Sequence, residues 1–120
     1  MAKILVVDDS PTMLNGTTKI LVSANHEVIQ AASGKEGIEK AGSENPDLIL
    51  MDIVMPDLSG FQATRAITTA AGTKHIPVIM LSTKDQETDM LWATRQGASD
   101  YIVKPPNEKE LLSKIENLLK

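Results

Sequence analysis

The chain has no cysteine among its 120 residues. Disulfides and thiolate metal sites are therefore excluded, the fold must stand on its core alone, and a reducing compartment is permitted. Aromatic residues are almost as scarce: Phe61, Trp92 and Tyr101 are the whole set, so the interior has to be built from Val, Ile, Leu, Met and Ala. Histidine occurs twice, at His26 and His75, far apart and without ligand spacing, so neither is given a role. Positive charge is not in excess: 12 Lys and Arg against 16 Asp and Glu leave -4, which argues against nucleic-acid phosphates as a direct partner. No apolar run reaches membrane-spanning length and no signal peptide is legible, since Lys3 is already charged. No Gly-rich phosphate loop follows the first apolar run, which weakens a nucleotide-binding reading. What remains is a single cytoplasmic domain, residues 1–120, off the membrane and long enough to bury a core without staples.

What the chain does have is five short apolar runs alternating with helical patterns. Residues 4–7 form a β-branched-rich run that ends in Asp8-Asp9, and Ser10-Pro11 then supplies a hydroxyl cap and a first-turn proline for a helix through Met13, Ile20 and Leu21. Residues 27–31 read as a less apolar edge strand, and 35–43 as a short amphipathic helix. Residues 48–51 are a fully apolar strand ending in Asp52, and 61–71 a helix closed by Gly72. Residues 76–81 form the fourth strand, with Pro77 near its start where a missing N–H is tolerable; 86–96 are helical and stopped by Gly97. Residues 101–103 are the last strand. Asn107 with Glu110 three residues on opens the final helix, 108–119, as a capping box would. Alternation of this kind predicts an α/β fold: a (βα)5 flavodoxin-like doubly wound parallel sheet in the order 2-1-3-4-5, with helices on both faces.

The strand ends carry the chemistry. In a parallel sheet Asp8-Asp9, Asp52, Ser82-Thr83 and Lys104 all fall on the carboxyl rim, where ligands of open α/β sheets bind. Strands one, three and four are neighbours in that order, so three carboxylates and a hydroxyl share one crevice. Carboxylates that close raise one another's pKa unless a cation intervenes, and hard oxygen ligands with open positions suit Mg²⁺. A lysine on the next strand is a point charge for a phosphoryl oxygen, and the Ser82 hydroxyl can donate to another. The set is a device for phosphoryl transfer onto a carboxylate, with Asp52 as acceptor. Taken singly each part has a blander reading: Asp8 or Asp9 as a helix-start carboxylate, Ser82 as a cap, Lys104 as a solvated lysine, Asp57 as a turn residue. The Met residues and Trp92 read as core or partial-core packing. The conjunction on one rim is what argues for a site.

The paired acids Asp8-Asp9, the run Met51-Asp52-Ile53-Val54-Met55-Pro56 with Gly60, Ser82-Thr83 and Lys104-Pro105 together resemble the receiver domains of two-component response regulators. The resemblance runs from Lys3 to Leu119. It implies a CheY-like fold in which Asp52 takes a phosphoryl group from a phosphohistidine on a partner histidine kinase. It also implies that Asp9, Asp52 and the backbone carbonyl of Val54 ligate Mg²⁺ directly and Asp8 through water. Ser82 and Lys104 would bind phosphoryl oxygens, and Tyr101 matches an aromatic switch position coupled to Ser82. The Lys104–Pro105 peptide is expected to be cis, although Pro106 provides a second X-Pro bond. Residues 76–89 with Trp92 and Arg95-Gln96-Gly97-Ala98, together with residues 52–56 and 60–65, are similar to single-domain regulators of twitching motility of the PilH and PilG type.

Phosphorylation adds about 1.5 to 2 negative charges at neutral pH. The Ser82 loop gains a bond to them only by moving, which should bias the surface made by residues 86–96, 101–103 and 108–119. With no output domain, the signal is expected to leave by binding a downstream protein there, from a chain that is monomeric when unphosphorylated. A flagellar-motor regulator or a phosphate sink would use the same chemistry. An aspartate-nucleophile phosphatase is the rival of another class; it wants a second acid two residues after the nucleophile, where this chain has Val54.

Overall fold

The computed structural model describes all 120 residues. Its elements alternate from end to end: β1 (Lys3–Val7), α1 (Pro11–Ser23), β2 (Glu27–Ala31), α2 (Gly34–Glu44), β3 (Leu48–Met51), α3 (Gly60–Thr69), β4 (Val78–Ser82), α4 (Glu87–Arg95), β5 (Asp100–Val103) and α5 (Glu108–Leu119). All four strand pairings are parallel, and the sheet order is β2-β1-β3-β4-β5. The fold is the flavodoxin-like one expected, with β2 at an edge.

Strand alternation splits the core into two faces. Leu5, Val7, Ile49, Met51, Val78 and Met80 point to one side and pack with Ala41, Ala63, Ile67 and Ala93 of α2, α3 and α4. Ile4, Val6, Leu48, Leu50, Ile79 and Leu81 point to the other, against Leu14 and Leu21 of α1 and Leu111 and Ile115 of α5. The central strands β3 and β4 are buried at every residue. Truncating one of their Leu or Ile side chains to Ala costs about 2–5 kcal/mol in such a setting.

Helix starts follow their caps. Ser10, Ser33, Ser59 and Asn107 each accept a hydrogen bond from a first-turn N–H, and Ser59 and Gln62 form a complete reciprocal box. For α5 only the Asn107 half of the expected box is made, its Oδ1 accepting from Glu110 N at 3.0 Å.

Three readings change. β4 begins at Val78 rather than residue 76, because Pro77 has no N–H to give; its carbonyl still accepts from Ile49 N at 3.0 Å. α3 ends at Thr69, and its terminator is Thr73, not Gly72: the buried Thr73 hydroxyl donates to the Ile67 carbonyl at 2.7 Å. Trp92 and Met90 are exposed rather than packed, because α4 is short and buries only Ala93. Gly97 does stop α4, at φ +98.

Candidate functional site

The carboxyl rim brings the predicted residues together. Asp8 follows β1, its backbone N–H donating to the Ala31 carbonyl and its Oδ1 accepting from Ser10 N at 2.9 Å. Asp52 follows β3, held by its N–H to the Val7 carbonyl at 3.0 Å, with Oδ1 accepting from Ile53 N at 2.8 Å. Lys104 follows β5, its N–H donating to the Ser82 carbonyl at 2.8 Å, so its stem starts level with the end of β4. Its ammonium crosses the cleft to Asp8 Oδ2 at 2.5 Å and stands 3.6 Å from Asp52 Oδ2. Asp8, Lys104 and Ser82 are buried, Asp52 is largely so, and Asp9 faces solvent.

One cation among three acids sets the electrostatics. Burial pushes the Asp52 carboxyl above its ordinary value; Lys104 pulls it down, and Asp8 and Asp9 add to the push. A second positive charge would relieve that tension. The carboxylate oxygens of Asp8, Asp9 and Asp52 lie within 4.8 Å of one another. Three hard oxygen donors from two adjacent strand ends fit a small divalent cation such as Mg²⁺.

Beside the acids, Ser82 Oγ accepts from Lys84 N at 3.3 Å, so the hydroxyl organises its own loop rather than capping α4, whose cap is Gln86. Tyr101 is half-buried, and its hydroxyl donates to the Lys84 carbonyl at 2.7 Å, tying β5 to that same loop. Burial first, then Asp89, raises the Tyr101 phenol to about 12, against a bond with Ser82 that lowers it. The Lys104–Pro105 peptide is cis, as expected. Val54 projects into solvent from the loop after Asp52.

Two residues matter more than their sequence context suggests. A Cβ on Gly60 would stand 1.9 Å from the Asp52 carbonyl oxygen, so only glycine lets α3 start directly against Asp52. Asp57 is more than a turn residue: its carboxylate accepts from Gly34 N at 3.0 Å and Lys35 N at 2.8 Å, pinning the loop after β3 onto the first turn of α2. Those bonds, Lys35 N–H foremost, hold its carboxyl down at about 2. Gly60 has a local signal, glycine at a helix start; a cap reaching across 23 positions has none.

The chain as a whole has close relatives among known proteins. Residues 4–116 match the response regulator receiver domain family. The chain belongs to that family. The receiver domain is 53% identical over 119 residues to Protein PilH of Pseudomonas aeruginosa, covering 99% of this chain and 98% of that protein. This bears out the likeness to regulators of the PilH type read from the sequence. Among solved structures it is similar to the chemotaxis response regulator CheY4 of Vibrio cholerae, at 34% identity, 99% of each chain and a TM-score of 0.92. It is also similar to the receiver domain of the sensor histidine kinase PA1611 from Pseudomonas aeruginosa, at 29% identity, 98% and 97% coverage and a TM-score of 0.91. That structure has a magnesium ion coordinated in its active-site cleft. In the present chain no helix is long and apolar enough to cross a membrane.

Proposed function

We propose that the chain is a stand-alone cytoplasmic response regulator, one receiver domain over residues 1–120, that takes a phosphoryl group on Asp52 from a histidine kinase. The observation that carries this is Lys104 Nζ lying between Asp8 and Asp52 on the rim that also holds the buried Ser82 hydroxyl. An Asp52 oxygen forms the new O–P bond as the P–N bond to the kinase histidine breaks. Lys104 and the Ser82 hydroxyl then hold phosphoryl oxygens. Asp9, Asp52 and the Val54 carbonyl would hold Mg²⁺ directly and Asp8 would hold it through water, and the ion would supply neutralisation of the phosphoryl charge. Water later hydrolyses the acyl phosphate, so the chain acts on itself and not on outside substrates.

The signal leaves through Tyr101. Its hydroxyl is bonded to the Lys84 carbonyl, and Ser82 accepts from Lys84 N–H. When Ser82 turns to a phosphoryl oxygen both bonds are disturbed, and the surface of α4, β5 and α5 changes with them. A downstream protein that reads this surface is the output, with the unphosphorylated chain a monomer. The likeness to PilH supports a place in type IV pilus or twitching motility control.

The test is intact-protein mass after incubation with Mg²⁺ and a small acyl or amido phosphodonor. A single phosphate-sized gain is expected in the wild type, lost with EDTA and lost in Asp52→Asn. A wild type that also takes nothing from a phosphorylated histidine kinase would sink the proposal.

A further inference from the structure

A second concavity lies at the other end of the sheet from Asp52. A cleft of about 430 Å³ opens beside Pro77 and Ser99, just before β4 and β5, between α3 and α4. Both arginines of the chain, Arg65 and Arg95, line it with Lys74 and His75, and no carboxylate lines it. None of the ion pairs in the structure includes Arg65, Lys74 or Arg95. In a chain with four more acids than bases, a cleft with cations and no acids stands out. Like charges gathered without a counter-charge cost some stability, which a binding role would offset.

The cleft continues, through Arg65, Thr69 and Gln96, into a neighbouring hollow of about 430 Å³ lined by Phe61, Ala66 and Trp92. Trp92 is 53% exposed. Arg95 lies 5.6 Å from its ring centroid, so the aromatic end and the cationic end are joined in one surface. An apolar hollow next to two free guanidinium forks is the composition of an interface centre, where Trp and Arg are enriched.

We propose that the α3–α4 groove is a docking site for an acidic polypeptide segment of a partner protein. Its carboxylates would pair with Arg65 and Arg95, and a Phe or Leu anchor would lie against Phe61 and Trp92. Guanidinium forks match carboxylates in bidentate geometry. A small phosphate ligand is less well served, because phosphate cradles are built from free backbone N–H groups. Here those of Gln96, Gly97, Ala98 and Ser99 already donate to Trp92 and Ala93, Thr94, Ala93 and Val78 carbonyls respectively. The groove shares α4 with the α4–β5–α5 face, through Trp92, Arg95 and Gln96, but opens toward α3, and its docking role does not depend on phosphoryl transfer.

The experiment is a titration of the ¹⁵N-labelled full chain, unphosphorylated, with blocked peptides of about a dozen residues that are Glu-rich and carry one Phe. Controls are the same peptide with Phe replaced by Ser, its Lys-rich counterpart, and pyrophosphate. Shifts are expected at the Arg65 and Arg95 Nε–H and Trp92 Nε1–H signals with the Glu–Phe peptide. Affinity should fall about tenfold or more in Arg65→Glu/Arg95→Glu and weaken steeply with salt. Trp92→Ala should lose the preference for Phe over Ser, and both variants should keep wild-type phosphoryl uptake. No response to the Glu–Phe peptide overturns the proposal, as does undiminished binding by the charge-reversed chain. Pyrophosphate binding that the peptide cannot match overturns it in favour of a small-anion site.

Discussion

The loop that leaves β3 and the segment that leaves β4 start from neighbouring strands, yet they are held very differently. After β3, Gly60 N–H donates to the Ile53 carbonyl at 2.7 Å, α3 begins against the Asp52 carbonyl, and Asp57 clamps the loop onto α2. After β4, residues 83–88 are exposed, and α4 follows with Ala93 as its one buried residue. Met90, Leu91 and Trp92 face solvent. A phenol-to-carbonyl bond, Tyr101 to Lys84, ties that segment back to β5. Segments with few buried contacts open at low free-energy cost. Asp52 stands on the fixed side, and the element that could report on it stands on the loose side. A receiver domain gains from that division: the chemistry needs a rigid carboxylate, and the output needs a surface that moves for little energy.

The contrast is broken most severely at Gly60. A Cβ there meets the Asp52 carbonyl at 1.9 Å, closer than any real contact allows, and the obstacle is backbone that cannot swing aside. Gly60→Ala should cost about 3 kcal/mol, read as a lower urea midpoint at unchanged slope. Phosphoryl uptake should fall with it, because relief of the clash displaces Asp52. A loss under about 1 kcal/mol with full uptake would mean the loop is not the rigid partner.

A smaller effect probes the loose side. Tyr101→Phe removes the bond to Lys84 and keeps the ring packed on the core, so about 1 kcal/mol is expected. Tyr101 is the single tyrosine, so tyrosinate absorbance in an alkaline titration reports it alone. The phenol is raised from 10.0 to about 12. A raised folded value means its contribution is whole below 10.0 and is lost as the pH climbs through about 12. A midpoint near 10.0 would show the hydroxyl already free in solution.

The same division decides what could be read from the sequence. β3 declared itself because burial on both faces leaves nothing but apolar residues, and the abrupt switch to Asp52 marks the rim. The order 2-1-3-4-5 then places Asp8, Asp9, Ser82 and Lys104 around it without any coordinates. Met90 and Trp92 on α4 mislead for the opposite reason. They are apolar, and apolar residues on a helix ordinarily mean core, yet here they face solvent. Three other contacts escaped because they join positions distant in the chain or depend on orientation: Asp57 with Gly34 and Lys35, Tyr101 with Lys84, and Thr73 with Ile67.

Asp57 offers the mildest test of the comparison, because its carboxylate is exposed and acts only through two N–H donors. Those donors are the first two backbone groups of α2, left without intrahelical partners. Ionised Asp57 satisfies both and complements the positive end of the helix dipole. Its carboxyl is depressed from 3.8 to about 2 in the folded chain. A depressed folded value means the stabilisation is present above 3.8 and fades as the pH falls toward about 2. Asn at this position keeps one acceptor oxygen and loses the charge. Asp57→Asn should therefore melt below the wild type at neutral pH, and the gap should close through that acid window. Paired melting curves across the window decide it. A gap that stays constant down to pH 2 would show that the clamp acts by shape rather than charge. The fixed side would then owe its stiffness to Gly60 and the buried strand alone.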